Sequence, residues 1–365
     1  MINSLKLLNC LINNNINFFC GVPDSILKFF TQEVVKNKKV KNITTSNEGS
    51  SIALAAGYYL SKKKLACVYL QNSGLGNAIN PLSSITHKKV YSIPMLLLIG
   101  WRGATGTLDE PQHQVKGSIT KEILKLLKIK YVVLNSKDFS SLKKLINYSK
   151  KNSVPVACLF KNNVFEKNKN SIKKNFKLGI KRIDFIKILL KYVKTNTKII
   201  STTGYTSREL YQIRKQNSFK KGKDFYMVGG MGHASMLTLG VSLNDKNNII
   251  CLDGDGSFLM HMGALNTIGK FANKNFKHII FDNHTHESVG EQRTYSENIN
   301  FEKLIESMKY KYYKKINNKN DINKELIKFL KSKGPSLLNV ETSTGSLKDL
   351  IRPQNLIKIK NDFKN

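Results

Sequence analysis

Long hydrophobic runs are missing from this 365-residue chain. No stretch reaches the roughly 18–20 apolar residues that cross a bilayer, which excludes a membrane-spanning helix. Cysteine is scarce: Cys10, Cys20, Cys67, Cys158 and Cys251 are odd in number, scattered, and without a CxxC pair. That pattern speaks against a disulfide framework and against a zinc site. Four of the five lie in apolar runs, where small reduced thiols are expected. The N-terminus, MINSLKLLNCLINNN, has no basic stretch followed by a cleavage site. Its Leu5, Leu8, Leu11 and Ile12 recur at helical spacing, and it reads as the first helix of a cytoplasmic protein.

Acidic residues are also in short supply, with 25 Asp and Glu against 60 Lys and Arg, a formal net charge of +35. Such an excess raises nucleic acid as a partner. The lysines, however, run along the whole chain among asparagines, and no lysine cluster is interleaved with stacking aromatics. Solvated faces explain this better than a nucleic-acid surface, so a basic nucleic-acid-binding protein on an enzyme fold is the remote alternative. A positive field also attracts a multiply charged anionic substrate.

What is present is a repeated rhythm. Hydrophobic residues make up 41% of a chain long enough for two domains. In the first half, strands are expected at Asn17–Cys20, Asn42–Thr45, Leu65–Leu70, Pro94–Gly100, Tyr131–Leu134 and Val154–Phe160. Helical patterns such as Ser50–Leu60 and Lys121–Lys128 separate them. The polar segment Lys161–Lys177 reads as a linker. The rhythm resumes with strands Lys198–Ser201, Phe225–Val228, Asn248–Leu252, His278–Phe281 and Ser336–Val340. Helices are expected at Ile183–Val193, Ser207–Arg214, Ala234–Leu243 and Phe258–Ala272. The expectation is two doubly wound parallel α/β domains in tandem, 1–165 and 181–365, joined by a linker over 166–180. Ligands are expected at the carboxyl ends of the strands.

The most informative segment is IICLDGDG, Ile249–Gly256, followed by a helical pattern. Asp255 stands between Gly254 and Gly256, where the backbone turns tightly and approaches a bound group. One strand later come Asp282 and Asn283. Side-chain oxygens at the ends of consecutive strands, with a loop carbonyl, suit a hard Mg²⁺ ion whose shell phosphate oxygens complete. Upstream, GGMGHAS (Gly229–Ser235) opens a helix whose free N–H groups suit an anion. Ser46-Asn47-Glu48-Gly49 opens another, where a glutamate is also a common capping or dipole partner.

GDG, 25 intervening residues and then Asp282–Asn283 resemble the thiamine-diphosphate signature of pyruvate-decarboxylase-like enzymes. The resemblance implies that Asp255 and Asn283 hold Mg²⁺ through side chains and Thr285 through its carbonyl. It implies that Gly230, Met231, Gly232, His233, Ala234, Gly254, Gly256 and Ser257 surround the cofactor, with Met231 propping its bent form. It places Glu48 against the aminopyrimidine ring, where a carboxylic group favours the imino tautomer. The usual signature ends in Asn-Asn, so Asp282 is a departure at a position that is not the ligand.

Gly21-Val22-Pro23-Asp24-Ser25, QNSGLGNAINPL (Gln71–Leu82), WRG…DEPQH (Trp101–His113) and HESVGEQRT (His286–Thr294) resemble the phosphonopyruvate decarboxylase family. Sulfopyruvate decarboxylases are similar over the same parts. The resemblance covers nearly the whole chain and implies no middle domain. It implies decarboxylation of a small anionic 2-oxo acid in phosphonate biosynthesis, in a homo-oligomer, a dimer or tetramer. Asp24 and His113 are the candidates for proton transfer and carboxylate positioning. Ser25, Asn72, Ser73, Arg102 and Gln112 are candidate substrate contacts, Arg102 because its fork of donors suits a phosphonate. Glu291 and Arg293 stand where HESVGGQPT would carry glycine and proline, which leaves the loop's conformation and anion preference open.

Overall fold

The computed structural model describes residues 1–135, 137–166, 179–216, 219–347 and 349–364. Contacts divide the chain into Met1–Lys173 with Val289–Gln292, and Lys174–Ser288 with Arg293–Asn365. Most of the segment read as a linker lies outside the described residues. Its opening part does not: Val164 and Phe165 are buried, and Phe165 bridges to Ile2 in the first unit.

The first unit holds strands β1 (Phe18–Gly21), β2 (Lys41–Thr44), β3 (Ala66–Gln71), β4 (Met95–Gly100), β5 (Lys130–Val133) and β6 (Val156–Phe160). Its sheet runs β2-β1-β3-β4-β6-β5. The second unit holds β7 (Lys198–Ser201), β8 (Lys223–Tyr226), β9 (Ile249–Gly254), β10 (Phe276–Asp282), β11 (Tyr312–Ile316) and β12 (Ser336–Glu341). Its sheet runs β11-β12-β10-β9-β7-β8, the same order when read from the other edge. Every paired strand is parallel. The two doubly wound domains expected from the apolar runs are therefore present.

The runs are apolar because helices cover both faces of each sheet. Along β4 every residue is buried, and alternate side chains enter different clusters: Leu96 and Leu98 one, Leu97 and Ile99 the other. Each such side chain contributes about 1.5–3 kcal/mol on burial. In the second sheet, Ile279 and Phe281 face one cluster while Ile280 faces the other.

The sequence reading offers no helix at Phe301–Ser307, Ile322–Lys331 or Leu356–Lys364, and three further elements differ from it. The helix expected at Lys121–Lys128 is Pro111–Leu126, with proline in its first turn where the missing N–H costs nothing. Its early turns are polar and carry Gly117, where a Cβ would stand 1.7 Å from the Gly103 carbonyl oxygen. Close approach, and not apolar spacing, fixes that part. The single helix expected at Phe258–Ala272 is two, Asp255–Met260 and Ala264–Phe271, because His261 leaves helical geometry at φ −133°. Strand β11, YYKKI, shows no clean apolar run; it is an edge strand whose lysines face water.

Candidate active site

In both sheets the chain reverses its winding direction beside the first strand, and in such sheets the loops at the carboxyl ends there form a crevice. In the first unit, the helix Glu48–Lys62 starts just past β2. Asn47 caps it, its Oδ1 accepting from Ser50 N–H at 2.9 Å, which makes Glu48 the first helical residue. Glu48 is buried, and its Oε2 accepts from Asn77 Nδ2 at 2.7 Å. Gly74 provides the room, since a Cβ there would stand 2.1 Å from Glu48 Oε1. Burial raises the Glu48 pKa, with the Asn77 hydrogen bond pulling the other way.

Asp24 follows β1 and is fully buried. Its Oδ2 accepts from Ile26 N–H at 2.9 Å and Leu27 N–H at 3.0 Å, while Oδ1 has no hydrogen-bond partner among the described residues. Burial pushes its pKa up to about 6, against the Leu27 N–H and the Arg102 charge. Arg102, after β4, grips Asp109 with Nε at 2.8 Å and Nη2 at 2.6 Å, and its Nη1 reaches Ser25 Oγ at 3.3 Å. Burial opposes ionisation of Asp109, but the Arg102 fork holds its pKa well below the ordinary range. Asp109 thus takes the fork that the sequence reading offers to a substrate anion.

Asn72 accepts from Arg102 N–H at 3.2 Å and donates to the Arg102 carbonyl and Thr120 Oγ1, both at 2.9 Å. These bonds pin the loops after β3 and β4 together. Ser73 Oγ accepts from Gln71 Nε2 at 2.7 Å, and Gln112 Nε2 donates to Glu110 Oε2 at 2.7 Å. His113 lies in the first helical turn after Glu110, its ring nitrogen within 4.8 Å of carboxylate oxygens of Asp109 and Glu110. The structure therefore links Ser25 and Asn72 to Arg102 directly, sets Asp24 within the field of Arg102, and brings His113 and Gln112 to the acidic pair beside Arg102.

In the second unit, Gly230 and Gly232 adopt φ of +66° and +87°, left-handed values that glycine takes without strain. Gly232 N–H donates to Ser257 Oγ at 3.0 Å, and Ser257 Oγ meets Thr202 Oγ1 at 2.8 Å. The loops after β7, β8 and β9 are thereby joined. Met231 is half-buried, Ala234 is buried at the start of the helix Ala234–Ser242, and His233 stacks on His261 with centroids 4.4 Å apart.

Gly254 ends β9, and Asp255, Gly256 and Ser257 open the next helix. The β9–β10 register pairs Gly254 with Phe281, so Asp255 and Asn283 leave neighbouring strands almost level. Asp255 Oδ2 accepts from Thr294 Oγ1 at 2.5 Å. Burial and then the neighbouring Asp282 raise the Asp255 pKa, a crowding of negative charge that a cation relieves. Asn283 Oδ1 accepts from Thr285 N–H at 3.1 Å. The extra carboxylate at Asp282 is paired locally: it accepts from Ser296 Oγ at 2.6 Å and lies 3.0 Å from His284 Nδ1. The hydrogen bond that Asp282 accepts from the imidazole raises the His284 pKa.

The sequence reading assigned no role to Asn77 and Thr294, which lie inside segments it singled out, and missed Ser296 and Thr202, which carry no signature of their own. Glu291 adopts φ +62°, so it keeps the glycine-like geometry of the loop despite its side chain. It lies 3.5 Å from Lys28 Nζ, and Arg293 pairs with Glu297. One correction concerns charge. The fold does gather lysines with aromatics: Lys125, Lys128, Lys130 and Lys144 line a groove of about 640 Å³ with Tyr131 and Tyr148. Lys130 Nζ lies 3.9 Å from the Tyr148 ring centroid, and Lys125 pairs with Glu122. The groove carries none of the residues assembled above.

Two family models match this chain. One, the N-terminal TPP binding domain of thiamine pyrophosphate enzymes, matches residues 6–123. The other, their C-terminal TPP binding domain, matches residues 202–340. Both halves of a thiamine-pyrophosphate enzyme are thus present, and thiamine diphosphate is the cofactor. The phosphonopyruvate decarboxylase of Streptomyces viridochromogenes is 31% identical over 97% of this chain and 92% of its own length. That of Streptomyces hygroscopicus is 30% identical over 97% and 91%. The sulfopyruvate decarboxylase subunit beta of Methanocaldococcus jannaschii is 41% identical over 34% of this chain and 64% of its own length. The chain belongs to the phosphonopyruvate decarboxylase family of thiamine-pyrophosphate enzymes, and it is a decarboxylase. Among the described residues no helix is long and apolar enough to cross a membrane.

Proposed function

We propose that this enzyme converts 3-phosphonopyruvate to phosphonoacetaldehyde and carbon dioxide, within phosphonate biosynthesis in the cytoplasm. The observation that carries the reading is the match to two phosphonopyruvate decarboxylases over 97% of the chain. The bond between the carboxylate and the keto carbon breaks, and a proton takes the place of the departing carbon dioxide. Thiamine diphosphate supplies the electron sink for that cleavage. Everything else falls to side chains.

Glu48, buried and with a raised pKa, hydrogen-bonds the aminopyrimidine and holds it in its reactive tautomer. Asp24, with a pKa of about 6 and one unpartnered oxygen, suits proton transfer close to neutrality. His113 shares that task or positions the carboxylate. Ser25, Asn72, Ser73 and Gln112 contribute polar contacts, and Arg102 contributes positive charge with its fork anchored on Asp109. Gly230 to Ala234 and Gly254 to Ser257 cup the diphosphate, with Met231 as apolar prop. Asp255, Asn283 and the Thr285 carbonyl hold Mg²⁺; the all-oxygen donor set and the crowded Asp255 and Asp282 charges fit that hard cation. The relative named as a subunit supports an oligomer, which we read here as a homodimer or homotetramer.

The test offers purified protein, with Mg²⁺ and thiamine diphosphate, phosphonopyruvate and sulfopyruvate in parallel, following aldehyde through a coupled alcohol dehydrogenase. Preferred turnover of phosphonopyruvate is expected. Preference for sulfopyruvate would keep the chemistry and replace the substrate, a second reading favoured by the similar sulfopyruvate decarboxylase.

A further inference from the structure

Asn283 is an amide, and an amide presents either its oxygen or its NH₂ group depending on what holds the other end. Here Nδ2 donates to Glu287 Oε2 at 3.1 Å. A carboxylate accepts and never donates, so only the NH₂ end of Asn283 satisfies it. The oxygen is thereby kept as the accepting end, turned to Thr285, whose N–H and Oγ1 donate to it at 3.1 and 3.3 Å.

Glu287 is itself held fast. Its Oε2 accepts from Arg182 Nη1 at 3.1 Å, and its Oε1 accepts from Gly345 N–H. Arg182 is 5% exposed, and its Nε donates to Glu209 Oε2 at 2.7 Å. Glu209 is 1% exposed. A buried arginine between a buried glutamate, Glu209, and a half-buried one, Glu287, is costly to assemble and contributes little net stability. It does give each carboxylate one fixed orientation. Beyond orientation, an anion against the NH₂ group polarises the amide toward its oxygen, which strengthens that oxygen as a ligand.

We infer that Glu287, clamped by Arg182, is a positioning residue that presents the Asn283 oxygen to the divalent cation of the cofactor. The inference rests on the reading of Asn283 as a cation ligand. A merely structural Glu287 would tie together the helices Arg182–Tyr192 and Tyr205–Gln216 and the segment at Gly345, with no bearing on the metal.

The test is a double-mutant cycle on the full chain. Mg²⁺ affinity is read at saturating thiamine diphosphate by near-ultraviolet circular dichroism, and thermal midpoints are read without cofactor. In Glu287→Gln, the amide oxygen takes the place of Oε2, which serves both Arg182 and Asn283, so the charge that polarises the Asn283 amide is lost and an NH₂ group faces the Gly345 N–H. Mg²⁺ affinity should fall by roughly 10–100-fold, the usual cost of losing such a supporting residue. Asn283→Asp alone sets two carboxylates face to face and should also weaken Mg²⁺. When Glu287→Gln and Asn283→Asp are combined, the introduced amide donates to the introduced carboxylate. Affinity should then recover at least tenfold above the product of the two losses. Additive losses, or lower thermal midpoints with Mg²⁺ affinity unchanged, would overturn the positioning role. Should Glu287→Gln not fold, Glu287→Asp keeps the charge one methylene back; a Mg²⁺ affinity equal to the parent's would overturn the role equally. Unchanged Mg²⁺ affinity in Asn283→Ala would overturn the ligand reading itself, a result distinct from additivity in the cycle.

Discussion

The two units share one strand order and differ in how they treat their carboxylates. In the first, Glu48 and Asp24 are buried away from bulk water, and burial raises the pKa of each. Asp24 keeps one oxygen without a hydrogen-bond partner among the described residues. In the second, Asp255, Asp282 and Glu287 sit in a web of hydroxyls, an imidazole and a guanidinium: Thr294, Ser296, His284 and Arg182. Desolvation with few partners yields groups poised to carry a proton. Dense hydrogen bonding yields fixed oxygens with one orientation, the requirement of a metal site. Burial raises Asp255 as it raises Asp24, so the halves differ in the density of partners and not in desolvation; on the proposed reading that difference separates proton handling from metal binding.

The comparison can be broken from either side. The largest effect is expected from Asp255→Ala, which should weaken Mg²⁺-dependent retention of thiamine diphosphate by more than about 100-fold, beyond the cost of losing a supporting residue. Equilibrium dialysis with and without Mg²⁺ would show it; unchanged retention would remove Asp255 from the metal site. Next comes Gly74→Ala. The added methyl would displace the Glu48 carboxyl, so turnover should drop at least tenfold, with about 1–3 kcal/mol lost from stability through overpacking. Steady-state kinetics beside chemical denaturation would separate the two effects.

Asp24→Asn sharpens the contrast through pH. The folded pKa of Asp24 stands at about 6, above its ordinary value of 3.8. Folding therefore takes up a proton between those values, and stability falls as pH rises through 6. About two pKa units correspond to roughly 3 kcal/mol. The asparagine variant should therefore be the more stable protein at pH 7, with the advantage gone by pH 4, and it should lose turnover. Equal stabilities at both pH values would contradict the buried, unpaired state of Asp24. The smallest effect is expected of Glu291→Gly. Relieving a left-handed φ at a non-glycine residue should stabilise the protein by about 1 kcal/mol in urea denaturation, less whatever the Lys28 pair contributes. A clear loss of stability would mean that the ion pair outweighs the backbone strain.

The strands were legible because a parallel sheet covered on both faces needs unbroken apolar runs, as in MLLLIG of β4. The edge strand β11 was not, since one exposed flank lets lysines stand in it. Half of the helix Pro111–Leu126 was hidden because glycine against backbone fixes it and leaves no spacing to read. The motif residues Glu48, Asp255 and Asn283 stood out because each follows an apolar run at a fixed distance from glycine. Their partners did not. Arg182, Glu209 and Glu287 meet across sequence separations of 27 and 105 residues, and only the fold brings them together.

The measurement that tests the division of labour most directly places Glu48→Gln and Asp255→Ala in one experiment. Thiamine diphosphate binding at saturating Mg²⁺ and turnover would be read on the same preparations. The account predicts that Glu48→Gln keeps the cofactor and loses on the order of 100-fold or more in turnover, whereas Asp255→Ala binds the cofactor more than about 100-fold more weakly. Near-normal turnover in Glu48→Gln, or equal loss of cofactor binding in both variants, would contradict it.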